Sequence, residues 1–162
     1  MNILIGACLL ILCSFIGLKI ADNYRKKLKF IQDFQGLLDY LENNILFMQD
    51  DLRKLLEDKK KNVHKDFSNF LSQFIQNLEN CKQFLQAWME TQKIISQENA
   101  ELIVNFMTGL GRNDSATQLQ AINQTKEILQ NQIKKVQNEQ KKGLLSSKLG
   151  IMGGLALFII VL

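Results

Sequence analysis

Few residues of this chain have the types and the spacing that enzyme chemistry requires. His64 is its one histidine, so no pair of histidines stands at the spacing of a metal site, and its lysine-rich surroundings (KKKNVHKDF) predict a solvated side chain. Cys81 has no histidine partner in reach to activate its thiol. Residues 109–111 (GLG) lack the length and the Lys-Ser/Thr ending of a phosphate-binding loop. We therefore expect no catalytic residue, no metal and no cofactor.

Carboxylates occur in two adjacent pairs, Asp50 with Asp51 and Glu57 with Asp58. Paired acids can carry out general acid–base chemistry. At the starts and ends of helices, however, acidic side chains usually cap the backbone or remain solvated. If this acidic surface has a function, docking of a basic protein partner is the interpretation that we favour.

Two apolar segments stand at the ends of the chain, and each is predicted to be a transmembrane helix. Residues 1–18 carry no charged side chain. The 16 to 19 apolar positions within residues 2–21 measure roughly 24 to 29 Å as a helix, close to the hydrocarbon thickness of a bilayer. The Lys19 ammonium can reach the interface along its stem. A cleaved signal peptide is the alternative, but it needs positive charge before the apolar run, and here the charge follows.

The second apolar segment, residues 143–162, is uncharged from residue 149 onward. With the Lys148 side chain extending to the interface, it reaches about 30 Å as a helix. A buried core helix and an amphipathic surface helix are the alternatives, and the segment lacks the polar face that the latter needs. Gly150 and Gly154 form a G-x-x-x-G spacing, with Gly153 beside them, and this spacing lets helix backbones approach closely. Packing against the chain's own first helix and packing against a partner's helix both remain open.

Basic residues follow the first apolar segment and precede the second: Arg25, Lys26, Lys27, Lys29, Lys134, Lys135, Lys141 and Lys142. The positive-inside rule therefore places both termini outside and residues 22–142 in the cytoplasm. Residues 30–133 carry ten Lys or Arg against fourteen Asp or Glu, a net charge of about −4, which argues against nucleic-acid binding. Two of the three cysteines lie inside the first apolar segment, so no structural disulfide is expected.

The middle of the chain is predicted to be all-α, a bundle of about six helices between the two transmembrane helices. It contains no proline, and its apolar residues recur at three- and four-residue spacing. Asn113 or Asp114 is expected to cap a last helix over residues 115–142 that continues into the second apolar segment. Lys126 interrupts the heptad of that helix, so only partial coiled-coil character is expected. The stripes that precede it are Phe30/Phe34/Leu37/Leu38/Leu41/Ile45/Met48, Leu52/Leu55/Leu56, Phe67/Phe70/Leu71/Phe74/Ile75/Leu78, Phe84/Leu85/Trp88/Met89/Ile94/Ile95 and Leu102/Ile103/Phe106/Met107/Leu110.

Three pieces of the sequence together resemble the stage III sporulation protein AB family. The first apolar helix has the pattern G-A-x-L-L-I…I-G-x-x-I-A, and the closing segment reads KLGIMGGL at residues 148–155. The third piece is LGRND at residues 110–114, in which Gly111 and Asp114 precede Gln118 in an L-G-x-x-D-x-x-x-Q pattern. The resemblance covers essentially the whole chain.

This resemblance implies a role in endospore formation. Members of the family sit in the outer forespore membrane of the mother cell, within a channel complex that joins mother cell and forespore. Their helical domain is similar to that of the platform protein of type II secretion and type IV pilus systems, which meets a hexameric secretion ATPase. Carried onto this chain, residues 25–142 would face a similar ATPase encoded in the same operon. Prolines are common after the first long helix in the family and are absent here, so the geometry near residues 50–56 is not implied.

The sequence and the resemblance together predict a non-enzymatic membrane platform or adaptor that docks a secretion-type ATPase and other stage III channel proteins. A structural tether of the cell envelope without an ATPase partner is the alternative.

Overall fold

The protein folds into six α-helices, and no strand occurs among the residues that the structure describes. This computed structural model describes the backbone of residues 2–45, 52–111 and 114–161, and the side chains of residues 15, 18–44, 52–111, 114–139 and 141. The predicted all-α class is confirmed. The helices are α1 (Asn2–Ile45), α2 (Leu52–Lys60), α3 (Lys65–Gln76), α4 (Cys81–Thr91), α5 (Gln97–Gly109) and α6 (Ser115–Val161).

The chain divides into two compact units. One consists of residues 27–133, and the other consists of Met1–Lys26 together with Lys134–Leu162. Helices α1 and α6 each contain residues of both units, because no proline and no helix-ending turn interrupts either sequence. The predicted continuation of the last bundle helix into the second apolar segment is therefore confirmed.

In the part of the chain that the structure describes, we find no helix with a stretch long and apolar enough to cross a membrane. Most side chains of residues 2–21, and all those of residues 143–162, lie outside that part. The two transmembrane helices thus stay predictions. Met48, Asp50, Asp51 and Asn113 also lie outside the described residues.

Aromatic rings from three helices fill one side of the core in the 27–133 unit. The Phe30 ring of α1 lies 5.0 Å from that of Phe67 and 5.9 Å from that of Phe70, both on α3. The Trp88 ring of α4 lies 4.5 Å from the Phe70 ring. Phe34 then joins this cluster to Phe106 of α5 at 5.8 Å. The stripes predicted from the sequence are thus the buried faces of these helices.

Four apolar residues of the predicted stripes lie beyond the helix ends: Leu78, Ile94, Ile95 and Leu110. Helix α4 ends at Thr91, yet Ile95 is buried in the following bend. The Gln92 side chain holds this bend, because its Oε1 accepts from the Ile95 N–H at 3.1 Å and its Nε2 donates to the Ile95 carbonyl at 3.3 Å. Leu78 likewise follows the end of α3 at Gln76. A helical stripe that continues through Ile95 was the wrong prediction, since the Gln92 side-chain amide bonds the Ile95 backbone in place of the helical hydrogen bonds.

Candidate functional site at the α5–α6 turn

The turn between α5 and α6 is built around Gly111. Helix α5 ends at Gly109, Leu110 has an extended backbone, and Gly111 has φ of 76°, in the left-handed region that glycine tolerates best. A Cβ atom at Gly111 would lie 2.9 Å from Cδ2 of Leu52, the first residue of α2. The backbone angle therefore favours glycine here, and a larger residue would also have to displace the end of the Leu52 side chain.

Asp114 begins α6 and caps it. Its Oδ2 accepts from the Thr117 N–H at 3.2 Å, and the Thr117 hydroxyl donates to its Oδ1 at 2.6 Å. The hydrogen bond from the Thr117 side chain and then that from its backbone hold the pKa of the Asp114 carboxyl below its ordinary value. The Asp114 carbonyl accepts from the Gln118 N–H at 3.0 Å. The predicted cap is confirmed for Asp114.

A groove of about 260 Å³ lies beside this turn, between α5 and α6. Gln118 contributes to the wall of this groove. The residues of the predicted motif thus form one corner of the helical unit, in which Gly111 makes the turn, Asp114 caps α6 and Gln118 lines the groove. None of the residues that line the groove is charged. The lining residues are Leu102, Asn105, Phe106, Gly109, Leu110, Gln118, Ala121, Gln124 and Thr125.

Lys126 joins α6 to α1 through two carboxylates. Its Nζ lies 2.7 Å from Asp39 and 2.5 Å from Glu42. Hydrogen bonds to Asp39 and then to Glu42 raise the pKa of the Lys126 ammonium above its ordinary value. The residue that interrupts the heptad is thus an interhelical ion-pair residue. The sequence signal for it is the Asp39/Glu42 pair at i, i+3 on α1, but sequence spacing alone does not connect this pair with α6.

His64 is solvated, as predicted, but it also has a partner on α1. Its backbone N–H donates to Oδ2 of Asp33 at 2.9 Å, and its Nδ1 lies 2.8 Å from the same oxygen. The His64 side chain is 53% exposed, whereas the Asp33 side chain is 12% exposed. The prediction of a solvated side chain omitted this partner, which lies 31 residues away on α1. Among the described residues no group of three or more His, Cys, Asp or Glu side chains is arranged to hold a metal ion.

The predicted acidic docking residues are described only in part. Glu57 and Asp58 are exposed on α2. The Asp58 carboxylate accepts from Lys61 Nζ at 2.9 Å, and this hydrogen bond lowers the pKa of Asp58 and raises that of Lys61. Lysines in the last turn of α2 further reduce the local negative charge. Docking at Asp50, Asp51, Glu57 and Asp58 stays a prediction.

Apolar side chains of α1 are exposed where it approaches the basic residues. Phe15 is 61% exposed, Leu18 70% and Ile20 49%. Lys19 Nζ lies 5.5 Å from the centroid of the Phe15 ring. Lys26 pairs with Asp22 at 2.9 Å in the next turns.

The glycines of the second apolar segment lie within α6. Gly150, Gly153 and Gly154 are helical, but their surroundings lie outside the described residues. Close helix packing at these glycines stays a prediction.

Comparison with protein families identifies the chain. The model of the family described as stage III sporulation protein AB matches residues 2–162, a range that includes the Gly111–Asp114–Gln118 corner. No curated protein and no solved structure matches the chain. A match over nearly the full length shows that this chain belongs to the stage III sporulation protein AB family.

Proposed function

We propose that this chain is a non-enzymatic membrane platform in a sporulation channel complex between mother cell and forespore, where it docks a secretion-type ATPase. The family match supports a role in sporulation. The helical unit has an uncharged groove beside the Gly111 turn, and this supports docking of a protein rather than catalysis. The continuous helix α6 carries the proposal, because it begins directly after the cap residue Asp114, contains Gln118 of the motif and continues through the second apolar segment.

The membrane part of the proposal rests on the end of α1. At about 100° per residue, Leu18 and Ile20 lie on nearly opposite sides of the helix, and both are exposed. A helix that exposes apolar residues on opposite sides needs lipid or protein around it. Arg25 and Lys26 follow on the side proposed to be cytoplasmic. In this arrangement residues 1–21 and 143–162 span the membrane, both termini lie outside and residues 22–142 lie in the cytoplasm.

A cysteine-accessibility experiment tests this topology. Cys81 is unsuitable as the reporter because it is only 5% exposed. The exposed Gln73 on α3 is therefore replaced in a Cys8→Ser, Cys13→Ser and Cys81→Ala background. Gln73→Cys should react with a membrane-impermeant thiol reagent only after vegetative cells that express the full chain are permeabilised. A cysteine appended after Leu162 should react in intact cells. Labelling of Gln73→Cys in intact cells would overturn the topology.

In the proposed mechanism, α6 transmits movement of the docked ATPase from the cytoplasmic unit to the membrane. A seven-residue Gly-Ser insertion between Lys141 and Lys142 would uncouple the two parts of α6. We expect it to abolish sporulation while the protein remains in the membrane fraction. A seven-residue helical insertion (roughly two turns) is the matched control and should retain sporulation. Normal sporulation with the Gly-Ser insertion would show that α6 is not a mechanical link.

Binding of the ATPase distinguishes the proposed platform from the alternative, a structural tether of the cell envelope. The detergent-solubilised full chain should retain the secretion-type ATPase encoded with it on an affinity resin, and loss of all binding would favour a tether without an ATPase partner. Charge reversal of the predicted docking acids should weaken binding, whereas reversal of two other exposed acids should not. The docking set is Asp50, Asp51, Glu57 and Asp58, and the control set is Asp66 and Glu90.

A further inference from the structure

One face of α1 carries exposed apolar residues and an exposed arginine in line with each other. Leu18 is 70% exposed, and Arg25, seven residues later, is exposed as well. At about 100° per residue, seven residues bring a side chain back to within roughly 20° of its first direction. Phe15, which is 61% exposed, lies one turn before Leu18 and extends the apolar part of the face. The face is therefore apolar toward the N-terminus of α1 and basic toward Arg25.

Asp22 lies on this face between Leu18 and Arg25, but its charge is balanced. Its Oδ2 lies 2.9 Å from Nζ of Lys26, four residues later. An isolated carboxylate here would repel an anion bound at Arg25, whereas a carboxylate paired with a cation repels it much less. Arg25 therefore gives the face its net positive charge.

The direction of α1 brings the Arg25 side chain toward the bilayer. The Cα–Cβ bonds of a helix lean toward its N-terminus, and a long side chain covers the turn that precedes its own Cα. In the proposed topology the N-terminus of α1 lies outside, so the Arg25 side chain leans back toward Leu18 and the membrane. Helix α6 enters the membrane with its C-terminal part, so its basic side chains, such as Lys134, lean away from the membrane.

Arg25 also lies at the height of phospholipid headgroups. It follows residue 21, the end of the first apolar segment, by about 6 Å of helix, and the headgroup layer on one side of a bilayer is roughly 5–7 Å thick. In the proposed topology the Arg25 guanidinium thus lies among phosphates, while Leu18 lies beside acyl chains. Lys134 precedes the second apolar segment by about 14 Å of helix and lies beyond this layer.

The chemistry of the face fits an anionic phospholipid. Arg25 is the one arginine among the eight basic residues that flank the apolar segments. A guanidinium can donate two hydrogen bonds to one phosphate, whereas a lysine ammonium acts as a point charge. A zwitterionic lipid carries its own cation beside the phosphate and gains less from Arg25. A free phosphate has no apolar part that would contact Leu18 and Phe15.

We propose that α1 binds an anionic phospholipid of the cytoplasmic leaflet, with the phosphate at Arg25 and an acyl chain along Leu18 and Phe15. The bound lipid fixes the depth of α1 at the boundary between its apolar and basic residues. This proposal rests on the membrane part of the proposed function and is independent of ATPase docking.

Native mass spectrometry of the full chain tests the site, in mixed micelles with equal amounts of phosphatidylglycerol and phosphatidylcholine. Wild type should retain about fivefold more phosphatidylglycerol, the ratio expected from one basic side chain at an anionic surface. Arg25→Gln should retain the two lipids almost equally, with unchanged helical circular dichroism. The matched control is Lys134→Gln, which removes the same charge from an exposed residue of α6 and should keep the wild-type ratio.

Two further measurements identify the ligand. Asp22→Asn removes the carboxylate beside the site and should raise the ratio above that of wild type. Excess inorganic phosphate should not displace the lipid, because it cannot replace the acyl contacts. The proposal is overturned if wild type shows no preference, if Arg25→Gln and Lys134→Gln have equal effects, if Asp22→Asn lowers the ratio, or if inorganic phosphate displaces the lipid.

Flotation with vesicles distinguishes failure of the lipid site from failure of the membrane proposal. The full chain should float both with phosphatidylcholine vesicles and with vesicles that also contain phosphatidylglycerol, because the apolar segments insert into either. Flotation with both, combined with no lipid preference in the mass spectra, would overturn the lipid site alone. A chain that floats with neither would overturn the membrane part of the proposed function and the lipid site with it.

Discussion

The aromatic cluster around Phe67 and the corner around Gly111 belong to the same helical unit but are built from different kinds of side chain. The first joins rings of α1, α3 and α4 at centroid distances from 4.5 to 6.4 Å. The second combines a left-handed glycine, a capped helix start and an uncharged groove. The cluster buries large apolar area and contributes mainly to stability. The corner depends on backbone geometry and has an uncharged groove beside it.

Truncation of an aromatic ring should give the largest loss of stability. Phe67 is fully buried, so Phe67→Ala should lower the free energy of unfolding by about 3–5 kcal/mol. Urea unfolding of the full chain in detergent, followed by the fluorescence of Trp88, measures this loss. Gln124→Ala in the exposed wall of the groove should change the free energy of unfolding by less than about 0.5 kcal/mol. Equal losses from the two truncations would remove the distinction between the two regions.

A methyl group at the turn should give the next largest effect. Gly111→Ala places a Cβ at a left-handed φ and 2.9 Å from Leu52 Cδ2, so it should destabilise the protein by about 1–3 kcal/mol. Gly109→Ala is the matched control, since Gly109 ends a regular helix and should be neutral or slightly stabilising there. A Leu52→Ala background should recover part of the Gly111→Ala loss. If it recovers nothing, backbone strain alone accounts for the requirement.

Removal of the charge at Lys126 should have a smaller effect. Lys126→Met leaves Asp39 and Glu42 without their shared cation and should cost about 1 kcal/mol. Since the folded-state pKa of Lys126 is raised, its stabilisation is fully present below the pKa of the unfolded chain and is lost as pH rises through the folded pKa. The difference in stability between wild type and variant should thus be constant from neutral to mildly alkaline pH. A difference that disappears within this range would exclude the ion pair as its source.

Loss of the helix cap should give the smallest effect. Asp114→Ala removes both acceptors of Thr117 and should lower the Tm slightly, whereas Asp114→Asn, which keeps a cap oxygen, should retain most of the wild-type value. Because the folded-state pKa of Asp114 is lowered, its contribution is present above the pKa of the unfolded chain and is lost as pH falls through the folded pKa. The difference in Tm between wild type and Asp114→Ala should therefore narrow in acid. If the difference in Tm stays constant as pH falls, the effect of Asp114→Ala comes from the altered start of α6 and not from the charge of the Asp114 carboxylate.

Local signals predicted the helices because their causes are local. Apolar residues at three- and four-residue spacing identify a buried helical face without reference to the rest of the chain. Leu110, Gly111 and Asp114 similarly carry the end of α5 and the start of α6 in their own conformational preferences. Where a side chain replaced a helical hydrogen bond, as Gln92 does at Ile95, the apolar spacing alone predicted too long a helix.

The sequence by itself therefore determined the all-α class, the buried faces, the cap at Asp114 and the family. Only the tertiary structure decided which side chains meet across the chain: Lys126 with Glu42 over 84 residues, and His64 with Asp33 over 31. It also decided that Ile128 stays exposed on α6. The physical reason is that helix formation follows from hydrogen bonds between residues four apart, whereas these pairs depend on how separate helices pack.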